Sequence, residues 1–284
     1  MRVGVLAGLA AIVVMALAMP VRAEGDLERG NYLLNSIVAC GNCHTPKGPD
    51  GKAIAGQALA GGTVIEVPVF RAVAPNITPD KETGIGAWTD AQIALAIREG
   101  KRPDGSIIGP PMPVEFYRSM SDNDLRAIVA ALRKVPPVVN KVGKSTYKIP
   151  LPPAYGPPVG RVADVGRGNP VAYGGYLADI GHCMECHTPV IDKGRLDMTR
   201  VGGGGRELPV FPAGTVISAN LTPGNPAGFA HWTNAQFKET MRTGIRPDGR
   251  ALVRTMAFDW YKNIKDGDMN ALIAYLRTLK PVKN

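Results

Sequence analysis

Four cysteines and four histidines are all that the 284 residues provide. Two zinc sites of four ligands each would use every one of them, so a zinc protein with spare catalytic histidines is excluded. Aromatic side chains make up only 6% of the chain, while Gly (34) and Pro (25) are numerous. That is poor material for one large apolar core. Long hydrophobic runs are also scarce. The run from Val3 to Met19 follows Met1-Arg2 and leads into Pro20-Val21-Arg22-Ala23. A basic start, an apolar stretch and a small-residue end form an export signal, with cleavage expected between Ala23 and Glu24. The run is short for a retained anchor of about 20 residues. No other segment is apolar enough to cross a membrane. Residues 1–23 are therefore expected to be removed, leaving a soluble or peripheral protein in the periplasm. An excess of acid is lacking too. The formal charge of +9 falls to +7 once Arg2 and Arg22 are lost, which points weakly to acidic partners and, after export, away from nucleic acid.

What is present is concentrated in two pentapeptides. Cys40-Gly41-Asn42-Cys43-His44 returns as Cys183-Met184-Glu185-Cys186-His187, and together they use all the cysteines. C-x-x-C-H is the attachment pattern of c-type heme. Its two thiols form thioethers at the porphyrin edge, and the adjacent histidine is carried beneath the iron. A zinc held by all four cysteines would give no reason for a histidine after each second one. A thioredoxin-like dithiol needs a βαβ setting, which neither motif has. Disulfides remain an alternative in an exported chain. The pattern predicts two covalently bound heme c groups, whose porphyrins would supply the core that aromatics do not.

The motifs sit in a duplication. At an offset of 144 residues (143 at the cysteines), Tyr32-Leu33 matches Tyr176-Leu177, and Asn76-Ile77-Thr78-Pro79 matches Asn220-Leu221-Thr222-Pro223. Trp88-Thr89 matches Trp232-Thr233, and Arg102-Pro103-Asp104-Gly105 matches Arg246-Pro247-Asp248-Gly249. The expected organisation is one heme domain at 24–134, a proline-rich linker at 135–165 and a second heme domain at 166–284. Seven prolines in the linker forbid helix and favour an extended strap lying across both domains.

Each repeat reads as helical. Thr89-x-x-Gln92 and Thr233-x-x-Gln236 are capping boxes, and Gly100 and Gly244 stand where the helices would stop. Leu125, Ile128, Val129 and Leu132 form a stripe at i, i+3, i+4, i+7, which Met269, Leu272, Ile273 and Leu276 repeat. A further helix is expected before each motif, with loops in the Gly- and Pro-rich stretches. The predicted fold is all-α, with two tandem heme domains.

Opposite His44 and His187 each iron needs another ligand. His182 adjoins Cys183 and is poorly placed to reach the far face, and His231 has no counterpart in the first repeat. Among the methionines, Met120, Met241 and Met269 align with Ile264, Ile97 and Leu125 and read as core fillers. Met184 lies within a motif, and Met198 has no partner. Met112 and Met256 align with each other, seven residues after the glycine of the R-P-D-G turn. These two are the expected axial ligands, a soft thioether that raises the potential of the iron.

The motif string as a whole resembles a known family. Y-L…C-x-x-C-H-T-P, N-I-T-P-D-x-E-T-G-I-G-x-W-T-D, E-G-x-R-P-D-G…M-P and S-D-x-D-L-x-A-I-x-A-x-L-R are similar to the cytochrome c subunits of bacterial membrane-associated alcohol, aldehyde and gluconate dehydrogenases. The resemblance implies class I-like cytochrome c domains, with axial pairs His44/Met112 and His187/Met256. It also implies that the prolines after the motifs, Pro46 and Pro189, offer their carbonyls to the histidine ring N–H. Those subunits typically carry three hemes and associate with the membrane through their C-terminal end. This sequence shows two motifs, so direct reduction of a membrane quinone is not expected of it.

The resulting expectation is a periplasmic diheme electron carrier between a dehydrogenase and a downstream cytochrome or oxidase. A six-coordinate iron has no open position for substrate, so no catalytic residues are expected. The competing class is a diheme redox enzyme of peroxidase or thiosulfate dehydrogenase type, in which one methionine is typically replaced by histidine, cysteine or an open site. The matched methionines argue against it. Charge is unevenly shared, from −1 over 24–134 to +5 over 166–284. Arg250 and Arg254, where the first repeat has Ser106 and Pro110, are either ordinary solvated charges or propionate partners, or else border the second heme on a face for an acidic partner.

Overall fold

The computed structural model describes residues 19–192, 195–209, 214–224, 229, 231–253 and 255–283. Most of the expected export signal (1–18) and Arg254 lie outside the described residues. The first half runs α1 (Met19–Leu34), α2 (Gly41–His44), β1 (Val64–Val67), β2 (Phe70–Val73), α3 (Asp90–Glu99), α4 (Val114–Tyr117) and α5 (Asp122–Lys134). After β3 (Thr146–Tyr147) the same succession returns as α6 (Pro170–Ile180), α7 (Cys183–His187), β4 (Glu207–Pro209), β5 (Thr215–Ile217), α8 (Asn234–Thr243), α9 (Phe258–Tyr261) and α10 (Asp266–Leu276).

The local signals act as read. Thr89 and Thr233 each complete a capping box, with Gln92 and Gln236, at the start of α3 and α8. Gly100 and Gly244 close those helices in the left-handed region, at φ 67° and 72°. Helix α5 opens on Ser121, whose hydroxyl accepts from the Asp124 N–H, with Asp122 and Asp124 at its start and Arg133 and Lys134 at its end. That arrangement suits the helix dipole. The stripes of α5 and α10 are buried throughout.

The all-α expectation needs correcting. Stretches read as loops contain antiparallel hairpins, β1–β2 with β3 added on the β2 edge, and β4–β5. Val64-Ile65-Glu66-Val67 and Phe70-Arg71-Ala72-Val73 carry the β-branched and aromatic residues that a pleated surface accepts. The fold is mainly helical with two small sheets.

In each half the helix before the motif crosses the last helix at very close range. A Cβ placed on Gly30 would lie 1.8 Å from the Ala127 carbonyl oxygen, and one on Gly174 would lie 1.9 Å from that of Ala271. Only glycine permits these backbones to meet.

The halves are also bonded to each other, reciprocally. Tyr32 on α1 donates to Asp268 on α10 (2.8 Å), and its repeat-mate Tyr176 on α6 donates to Asp124 on α5 (2.7 Å). Arg29 holds Asp124 through two 2.8 Å bonds, and Arg167 holds Asp268 at 2.6 Å. Asp268 has no exposed surface, so these partners take the place of water around its carboxylate. The strap differs from expectation. Its hydrogen bonds among the described residues run to the first half, from Asn140 to Ala60, Tyr147 to Pro110, Tyr155 to Ile108 and Val159 to Glu99.

Candidate heme sites

Each motif is introduced by a residue with a left-handed backbone, Ala39 (φ 49°) and His182 (φ 42°). A non-glycine residue in this region is uncommon. Its recurrence at aligned positions marks a turn that both halves require to swing the chain from the preceding helix into α2 or α7. Those short helices put the cysteines and the histidine of each motif on one wall.

That wall belongs to a single cavity of about 1080 Å³, which reaches both halves. It is larger than the roughly 300–1,000 Å³ of an ordinary small-molecule site. Cys40, Cys43, His44, Cys183, Cys186 and His187 all line it, and so do Met112 and Met256. The structure thus brings together all eight residues selected from the sequence. The methionines arrive on equivalent loops. Both R-P-D-G turns are closed by the same bonds, Arg102 N–H to Ser106 O and Arg246 N–H to Arg250 O, each at 2.9 Å. Of the remaining methionines, Met241 also lines the cavity, as does Ile97 at the aligned position of the first half. Met120 and Met269 are wholly buried in the core away from it, and Met198 is exposed.

The histidines are held by a partner that the sequence reading missed. His44 Nδ1 lies 2.8 Å from the Pro75 carbonyl, and His187 Nδ1 lies 2.7 Å from the Ala219 carbonyl. Pro46 and Pro189 do not serve, because their carbonyls accept from Ile54 N–H (3.0 Å) and Asp197 N–H (2.8 Å) to close the following loops. Pro75 and Ala219 are aligned and directly precede the two N-[IL]-T-P segments. The acceptor is main chain, so the side chain can differ. With Nδ1 as donor, Nε2 is left unprotonated for a metal. Burial also lowers both imidazole pKa values, more than the carbonyls raise them, which favours the neutral, ligating form.

The cysteines are free thiols. Burial pushes Cys40, Cys183 and Cys186 up to about 12. Among the described residues no three Cys, His, Asp or Glu side chains converge to hold a metal ion. An apolar cavity with paired thiols, neutral oriented imidazoles and thioethers fits heme c.

The two motifs are neighbours. The Trp260 indole of the second half lies against Gly41 of the first motif. In the opposite sense, the Tyr117 ring meets His182 edge-on with centroids 6.1 Å apart. His182 also approaches Glu185 (3.4 Å), and His231 is exposed. His182 lines the cavity next to Cys183, in the wall of the motif itself, whereas His231 does not line it. Arg250 lies at the cavity beside Asp248, which contacts both Arg250 (2.7 Å) and Arg246 (3.4 Å).

The chain resembles the cytochrome c subunits of bacterial dehydrogenases. It is 29% identical over 269 residues to a fructose dehydrogenase cytochrome subunit of Gluconobacter japonicus, covering 89% of this chain and 52% of that one. It is 30% identical over 272 residues to a gluconate 2-dehydrogenase cytochrome c subunit of Pantoea cypripedii, covering 89% and 59%. A protein of Cereibacter sphaeroides described as a diheme cytochrome c-type is 28% identical over the whole of both chains. The chain thus spans little more than half the length of the dehydrogenase subunits it matches. No family model matches it. No helix among the described residues is long and apolar enough to cross a membrane.

Proposed function

We propose that this protein is a periplasmic diheme cytochrome that relays single electrons from a dehydrogenase to a downstream carrier or oxidase. In this reading residues 24–134 and 166–284 form two class I-like cytochrome c domains joined by the 135–165 strap. Cys40 and Cys43 anchor one heme c, and Cys183 and Cys186 anchor the other. His44 with Met112, and His187 with Met256, would hold the two irons. When bound, heme supplies the one-electron chemistry. The chain supplies ligation, exclusion of water and orientation of each imidazole through the Pro75 and Ala219 carbonyls.

The observation that carries the reading is the convergence of all eight residues on one cavity, in two equivalent sets. With a histidine and a methionine to hold each heme, the chain would offer no open position to a substrate and by itself would act as a carrier. The test is Met112→Ala and Met256→Ala, read by the near-infrared sulfur-to-iron band of the ferric protein. Each variant should lose the share of its own half, bind carbon monoxide there and show a lower potential. If Met241→Ala produces this result and Met256→Ala does not, the assignment in the second half is wrong. Rapid carbon monoxide binding by the unmodified protein would favour the redox-enzyme reading.

A further inference from the structure

The two halves differ in how the cavity meets the surface. Val73 ends β2 and Ile217, its repeat-mate, ends β5, and both line the cavity. Val73 is 8% exposed and Ile217 is 61% exposed. The strap lies along the edge of β2 in the first half. Ser145 Oγ accepts from the Val73 N–H (2.9 Å). β3 pairs with β2 through Phe70↔Tyr147 and Arg71↔Thr146, and Lys148 N–H bonds the Val69 carbonyl (2.9 Å). Tyr147 then reaches the Pro110 carbonyl (3.0 Å), which fastens the strap over the loop of Met112. In the second half β5 pairs with β4, and among the described residues no strand lies along its outer edge.

An open edge of main-chain donors and acceptors is a template for a further strand. The first half shows what this edge accepts, an extended segment that carries a hydroxyl. Charge selects the partner. Residues 166–284 hold 15 basic and 10 acidic side chains, against 12 and 13 in residues 24–134. Arg246 and Arg250 line the same cavity as Ile217, and both contact Asp248. Arg250 is 72% exposed and replaces a neutral Ser106.

We propose that the open edge of β5, with Ile217 at its end and Arg250 lining the same cavity, is the docking site of an acidic redox protein. The partner lays an extended segment along β5 and exchanges electrons through the second half. The strap closes the equivalent face of the first. This rests on the electron-carrier reading above and adds the surface at which the carrier is met.

The test uses the full heme-loaded protein and an acidic flavodoxin as probe, mixed in a stopped-flow instrument at low ionic strength. Ile217→Glu should slow exchange about 10-fold, and added salt should narrow the difference. Val171→Glu makes the same charge change on an exposed residue of α6 and should stay within about twofold of the parent. Reduction by dithionite and reoxidation by ferricyanide should be the same in the parent, in Val171→Glu and in Thr215→Glu, which places the charge on the same strand but off the cavity lining and should slow flavodoxin exchange as Ile217→Glu does. Equal flavodoxin rates for Ile217→Glu and Val171→Glu, or no exchange with the parent, would overturn the docking site. Sedimentation showing a parent dimer that Ile217→Glu dissolves would also overturn it, by assigning the edge to a second copy. Failure of the parent to cycle with the small reagents would instead remove the carrier reading beneath it.

Discussion

Replacing Tyr32 by phenylalanine removes one hydroxyl, and the consequence should extend to both halves of the molecule. That hydroxyl bridges α1 of the first half to a carboxylate of α10 that is sealed from solvent. A hydrogen bond to a charged group contributes about 1.5–3 kcal/mol. Asp268 would keep Arg167 at 2.6 Å and a long bond from Tyr173 at 3.4 Å, so the loss should fall at the lower end, about 1.5–2 kcal/mol. Asp268→Ala is a harsher change. It leaves Tyr32 without its acceptor and Arg167 and Arg29 facing an empty site, and Arg29 Nη1 already lacks a hydrogen bond. Breaking a buried charge pair in this way costs about 3–5 kcal/mol. Tyr176→Phe should resemble Tyr32→Phe, because Asp124 keeps both bonds from Arg29. The assay is guanidinium unfolding of the heme-loaded protein, followed by helix circular dichroism and by heme absorbance. Tyr32→Phe should shift both signals together, since the bond joins the halves. A loss below about 0.5 kcal/mol, the scatter of ordinary surface changes, would refute the reasoning. Two separate transitions, only one of which moves, would refute it as well.

Other outcomes follow from the same geometry. Gly30→Ala and Gly174→Ala each force a methyl group against a carbonyl oxygen less than 2 Å away, so each should lower stability by at least the 1–3 kcal/mol of ordinary overpacking, about the same in both halves, as read by thermal melting. Pro75→Ala keeps the main-chain acceptor of His44 and copies what Ala219 already does. It should leave the potential of the first heme unchanged in a redox titration, and a large shift would show that the proline ring itself matters.

Much of this site was legible because the chain states it twice. A residue kept at matching positions after duplication answers a need of the fold or the site, which is how Met112 and Met256 separate from Met120, Met241 and Met269. Capping boxes and apolar stripes depend on neighbours a few residues apart, so the helices of each half were legible as well. The hairpins were not, because four-residue strands among glycines and prolines leave too little periodicity to distinguish from loop. The carbonyls of Pro75 and Ala219 escaped for a different reason. Every residue has a carbonyl, so only the folded path reveals which one faces a histidine. Tyr32 and Tyr176 were visible as a matched pair, yet spacing alone cannot say that each reaches into the opposite half. Nor could the strap be assigned to one half before β3 was seen beside β2.

The account rests on two covalent hemes held by Cys40-Cys43 and Cys183-Cys186. The most direct measurement is the intact mass of the purified protein after acid–acetone treatment, made on the parent and on Cys40→Ala with Cys43→Ala. The parent should retain the mass of two hemes. The double variant should retain that of one, with the heme peptide mapping to the second motif. A parent mass without heme, or zinc in place of iron by elemental analysis, would contradict the account.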